Sequence, residues 1–110
     1  LYEAGRRGID PVRGCAVNEL WDDLSVRDPG ARLWPQTEHM RAALVLGEPD
    51  EALAAANCLK TYLETPCNGV WRDKLRPDGT FADEPAPATS LYHILGACLA
   101  LFDVSGSARQ

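Results

Sequence analysis

Of the two histidines in this 110-residue chain, His93 stands where an imidazole could move a proton. It follows Thr89 and Ser90, either of which makes a good helix N-cap, so it falls in the first turns of a helix. There the positive end of the helix dipole disfavours the imidazolium. A neutral imidazole near physiological pH can take a proton and give it back, as acid/base work beside a carbonyl requires. A plainer reading stands beside this one. His93 shares a helical face with Gly96, Ala97 and Ala100, away from the Leu/Ile/Phe stripe, where a polar residue could sit at a close helix contact.

Arg32, Trp34, Gln36 and Glu38 alternate with apolar or small residues just where another helix begins. Their plain roles are a core anchor for Trp34, a surface pair with Arg41 for Glu38 and a salt bridge for Arg32. Trp71 and Tyr92 read as packing residues, with a place on a pocket rim as the alternative. His39 reads as surface or packing. Asp22-Asp23, Asp73 and Asp83-Glu84 read as solvated loop charges. No phosphate-binding glycine loop and no Cys/His cluster at metal spacing is present, so no cofactor or metal is expected.

The elements that must hold these residues are mainly helical. Residues 1–7 read as the end of a helix stopped by Gly8 and Asp10-Pro11. Short extended pieces fill 14–34, with a turn at Asp28-Pro29-Gly30. A helix opens at Trp34-Pro35, with proline at its first position, and ends at Gly47; Met40, Ala43 and Leu44 form its apolar stripe. The next starts at Pro49, with Asp50 and Glu51 suited to its positive end, and ends before Pro66. Leu53, Ala56, Leu59 and Leu63 mark its expected buried face. Gly69 to Asp73 reads as a short strand and Pro77-Asp78-Gly79 as a tight turn. The last helix begins near Thr89, carries a stripe of Leu91, Ile94, Leu95, Cys98 and Phe102, and frays after Val104. The boundaries are therefore 1–104 for the folded unit and 105–110 for a frayed tail.

A weak internal repeat runs through this layout. At an offset of 55 residues Gly14 falls on Gly69, Glu38 on His93, and Ala42-Ala43-Leu44 on Ala97-Cys98-Leu99. Repeats of one helical hairpin plus a decorated loop suggest a helical array or toroid.

Composition sets the class. With 45% hydrophobic and 25% charged residues the chain is not of disordered type. A net charge of −5 leaves no basic surplus for a phosphate backbone, so nucleic acid is not expected as a partner. The longest apolar run, Ile94 to Phe102, is broken by Gly96 and too short to span a membrane. No basic segment followed by an apolar run is visible at Leu1, so no signal peptide is expected there. Cys15, Cys58, Cys67 and Cys98 are widely spaced; reduced thiols in a cytoplasmic protein are expected.

Two segments carry a family resemblance. Arg32-Leu33-Trp34-Pro35-Gln36-Thr37-Glu38, followed by an alanine-rich helix, resembles the R-x-W-P-Q-x-E segment of the N-acylglucosamine 2-epimerase family. Gly69-Val70-Trp71, Asp78-Gly79 and Leu91-Tyr92-His93 follow in the family's order. The match runs from Leu1 to about Leu101. It implies an all-α fold: the last helical hairpins of an (α/α)6-type toroid, with short β-hairpin loops between helices and a central sugar pocket. It also implies that His93 is one of the family's catalytic histidines. Trp34, Gln36 and Glu38 would line the sugar pocket, and Arg32 would be a weaker candidate for substrate oxygens. A ring platform with directed polar groups is what a sugar needs, since its C–H face stacks while its hydroxyls seek partners.

Some members carry a tryptophan about five residues before this histidine; Ala88 stands there here. The Pro-Ala-x-Ser-Leu-Tyr-His form is closest to bacterial members described as mannose or mannose-6-phosphate isomerase-like. Family catalysis also uses histidines earlier in the chain, one followed by a glutamate, which this sequence does not supply. The expected function is therefore sugar 2-epimerisation or aldose–ketose isomerisation by histidine acid/base transfer, on a mannose-type or N-acylglucosamine-type sugar. This chain would hold a partial pocket with little activity alone. The alternative is a non-catalytic helical repeat that acts in self-association, as a homo-oligomer, or by binding the rest of a toroid. A toroidal glycoside hydrolase would need a second carboxylate beside Glu38, and none is evident.

Overall fold

The computed structural model describes residues 2–66 and 70–108. A short helix, α1 (Tyr2–Arg6), leads into two small antiparallel hairpins. The first pairs β1 (Ile9–Asp10) with β2 (Cys15–Ala16), and the second pairs β3 (Glu19–Leu20) with β4 (Val26–Asp28). The strand β5 (Ala31–Arg32) then runs directly into α2 (Leu33–Val45). The helices α3 (Pro49–Leu63) and α4 (Thr89–Ala108) follow, with β6 (Lys74–Leu75) between them pairing antiparallel to β5. The fold is mainly helical with short strands in the loops, as expected.

The start of α2 is built without a side-chain cap. Arg32 is the extended N-cap residue, and the orphan amide of Leu33 bonds instead to the Asp73 carbonyl at 2.8 Å. The helix begins one residue before Trp34, so Pro35 is its third residue; its missing N–H is still one the first turn leaves unpaired. At the far end Gly47 has φ +71°, Leu46 bonds back to Ala42, and Glu48 bonds back to Ala43. That is a Schellman stop, and it turns the chain tightly into Pro49 at the start of α3.

α2 lies in the middle, packed on one side against α3 and on the other against α4. The core gathers Leu33 and Met40 of α2, Ala55, Cys58, Leu59 and Tyr62 of α3, Ala97 of α4, and Cys15, Ala31 and Leu75 from the strands. Tyr62 is fully buried; its hydroxyl donates to the Ala31 carbonyl at 2.9 Å, and its ring meets Phe81 edge-on. Burial pushes its hydroxyl well above the usual phenol range.

Four expectations are corrected. On α3 the buried face is Ala52, Ala55, Cys58, Leu59 and Tyr62, while Leu53 and Leu63 are exposed. On α4 the large residues Leu91, Leu95 and Phe102 are exposed along with Cys98, and among its described residues Ala97 is the buried apolar one. At the α2–α4 contact a small residue, Ala97, is inside because it lets the helices approach closely, whereas α3 buries Leu59 and Tyr62 beside its alanines. The expected strand at 69–73 is displaced to Lys74–Leu75, since pairing with β5 fixes the register there. Gly69 and Cys67 lie outside the described residues. α4 remains helical to Ala108, past the end expected at Val104.

The 55-residue repeat is visible in the elements. At that offset β3 coincides with β6, β4 begins where Phe81 bridges to Leu75, and α4 begins within a residue of where α2 does. Each half thus carries a helix end, a hairpin and a longer helix.

Candidate functional site

α2 and α4 pack face to face at the two positions that the repeat makes equivalent, Glu38 and His93. The His93 imidazole Nδ1 lies 3.0 Å from Glu38 Oε1. An ionised carboxylate can only accept, so Nδ1 is the donor in this bond, and in the neutral ring the lone pair then lies on Nε2. Glu38 is also paired with Arg41 on its own helix, whose Nη1 lies 3.4 and 3.3 Å from the two carboxylate oxygens. The Trp34 ring sits 5.9 Å from the His93 ring, tilted by 37°. Trp34, Glu38, Arg41 and His93 therefore form one cluster, half-open to solvent: the His93 side chain is 30% exposed and Glu38's 39%.

Tyr92 is mostly exposed and meets the His93 ring edge-on, so it is not the packing residue expected. Trp71 packs against the core as expected.

Gln36 is not part of this cluster. It is 2% exposed, and its side-chain amide exchanges two 2.8 Å hydrogen bonds with the Ala16 backbone, acting as one more strand beside β2. Its Nε2 also donates to the Arg32 carbonyl at 2.9 Å. Arg32 points instead to Asp73, with Nη2 3.1 Å from Oδ2. Asp73 was expected to be a solvated loop charge, but it is 4% exposed. Its second oxygen accepts from the Ser90 hydroxyl at 3.1 Å, so one carboxylate ties the start of α2 to the start of α4. That knot sets the height at which His93 meets Glu38. Sequence reasoning missed it because a charge in a loop looks solvated until its partners are known.

A cavity of about 680 Å³ opens on the other side of Glu38. Trp34 and Glu38 line it together with His39, Tyr2 and Arg6, and much of the remaining wall is apolar, including Ile9, Val17, Leu20 and Leu46. At its far side Glu51 accepts from the Tyr2 hydroxyl and pairs with Arg6 at 2.6 Å. The Tyr2 hydroxyl and the Arg6 guanidinium hold the Glu51 carboxyl below the usual carboxylate range. His39 is packed here, as expected, 3.8 Å from Glu51. Burial lowers its pKa, with the Glu51 charge opposing.

Among the described residues no group of three or more His, Cys, Asp or Glu is placed to hold a metal ion. No helix among them is long and apolar enough to cross a membrane. What the cluster can do chemically is hold an oriented imidazole beside an aromatic face and move a proton through Nε2.

Comparison with known proteins bears on this geometry. The family model described as N-acylglucosamine 2-epimerase (GlcNAc 2-epimerase) matches residues 1–97, which include the whole cluster. A mannose-6-phosphate isomerase of Rhizobium meliloti (strain 1021) is 46% identical over 114 residues, covering 94% of this chain and 30% of the relative. The chain thus spans under a third of that relative's length. No solved structure matches.

Proposed function

The chain belongs to the N-acylglucosamine 2-epimerase family, and on that premise we propose that it forms part of the active site of a sugar epimerase or isomerase acting on a mannose-type sugar. The observation that carries this reading is the hydrogen bond from His93 Nδ1 to Glu38, with the Trp34 ring beside it. Aldose–ketose isomerisation and 2-epimerisation both begin by removing the proton on C2 next to the carbonyl. In this reading His93 Nε2 takes that proton, leaving an enediol-like intermediate. Returning a proton to C1 gives the ketose; returning it to the opposite face of C2 gives the epimer. Glu38 fixes the tautomer and stabilises the imidazolium while it exists. Trp34 offers a flat apolar face to the sugar's C–H bonds. Gln36 and Arg32, with their polar groups bonded within the chain, hold the wall rather than the ligand.

The same reading makes the two helix–hairpin–helix units the last hairpins of an (α/α)6-type toroid, supported by the repeat and by α2 packing on both neighbours. The second acid/base histidine then comes from outside these two units. A cytoplasmic location belongs to this reading and rests on the expected reduced thiols.

The test is interconversion of mannose and fructose, free and 6-phosphorylated, by the full-length protein and its His93→Asn variant. Loss of His93 is expected to lower kcat by about 10²–10⁴-fold. Equal turnover in the two proteins would remove His93 from the chemistry.

A further inference from the structure

We propose that Arg41 is a positioning residue for the Glu38–His93 pair, lying over the bare backbone of α4 at Gly96. The inference rests on the role given to His93 above. Glu38 Oε1 is shared: it lies 3.0 Å from His93 Nδ1 and 3.4 Å from Arg41 Nη1. The same Nη1 would lie 3.4 Å from a Cβ built on Gly96, with the guanidinium carbon at 3.6 Å. Gly96 is one helical turn beyond His93, so one turn of α4 supplies both the imidazole and the gap that admits the guanidinium. A Cβ alone would make ordinary van der Waals contact with the guanidinium, so only a side chain larger than alanine would crowd Arg41.

The consequence is electrostatic. A bare carboxylate against an imidazole favours the imidazolium, which cannot act as a base. Arg41 shares that carboxylate and so reduces its pull on the His93 proton while leaving the orienting hydrogen bond in place. The charged groups around His93 are few. From α2 come Glu38 and Arg41; the Asp73 carboxylate near the start of α4 is already paired with Arg32 and Ser90. Tyr92, on α4 itself, meets the ring with its edge. Arg41 is therefore the one cation among these that is not committed elsewhere. Its side chain is 44% exposed, so replacing it should not unfold the protein.

The experiment compares full-length protein with Arg41→Met and Arg41→Lys. The imidazole resonances of His93, assigned by their loss in His93→Asn, are followed against pH, and the acid limb of kcat/KM is measured alongside. Arg41→Met is expected to move the His93 titration upward by roughly half a pH unit, a size suited to a partly exposed pair. The acid limb should move with it, and Arg41→Lys should recover most of the shift. Unchanged titration in Arg41→Met would overturn the proposal, as would a shift that Arg41→Lys fails to restore. Because the titration is read without turnover, its outcome stands apart from the activity test. If His93→Asn keeps full activity, the functional reading falls, while the titration still decides whether Arg41 governs the pair.

Discussion

His39 differs from His93 by its surroundings rather than by its type. It sits against Glu51, Tyr2 and Arg6, with its side chain largely buried, and its Nε2 has no hydrogen-bond partner. Burial lowers its pKa from the ordinary 6.5, against the pull of Glu51. In the unfolded chain it titrates near that ordinary value, so just below it the unfolded state binds more protons than the folded one. Stability therefore falls as pH drops below about 6.5, until the folded imidazole also protonates; above 6.5 this group contributes no slope. Replacing His39 by Gln removes the titration. The urea midpoint of His39→Gln is expected to fall less between pH 7 and pH 5 than that of the parent. Parallel pH dependence in the two proteins would assign the acid sensitivity to other groups.

At the scale of elements, the stop of α2 can be tested without disturbing any contact. Gly47 has φ +71°, and a Cβ built there meets nothing within 4 Å. Gly47→Ala therefore isolates the backbone cost of the left-handed conformation, about 1–2 kcal/mol. Urea unfolding should show the loss as a lower midpoint at unchanged slope. A neutral substitution would mean that the turn relaxes to another form. This stop was legible in the sequence because glycine after an apolar-periodic run has a specific local cause. The proline that opens α3 and the turn at Pro77-Asp78-Gly79 were legible for the same reason. The helix faces were less so. Apolar residues surround α4, so periodicity could not say which side would be inside; Ala97 was chosen because a small side chain lets α2 approach, and that is a property of the pair. The candidate site divides in the same way. His93, Trp34 and Glu38 could be named from residue types and the family segment, but their meeting depends on Asp73 joining Arg32 to Ser90 across the fold. Gln36 stands in a sugar-like motif, yet completes a strand through Ala16, which only the tertiary structure discloses.

On the whole molecule, the exposed side of α4 is the feature that the three packed helices do not satisfy. Leu91, Leu95, Leu99 and Phe102 recur at spacings of three and four, all at least 45% exposed, beside exposed Tyr92, Leu101 and Val104. A contiguous apolar stripe of this kind is the sort of surface that commonly marks an interaction site. Fully burying such a side chain is worth about 1.5–3 kcal/mol, of which roughly half is unrealised here. Expressed by itself, the 110-residue chain is expected to associate through this stripe and to elute from size-exclusion chromatography as a species larger than a monomer. Replacing both Leu95 and Phe102 by Gln should shift it toward the monomer while circular dichroism keeps its helix content, because neither residue belongs to the core. If a longer chain covers the stripe, the same pair should instead lower that chain's melting temperature. A parent chain that is already monomeric, or a full-length variant with unchanged melting, would show that this side of α4 faces solvent.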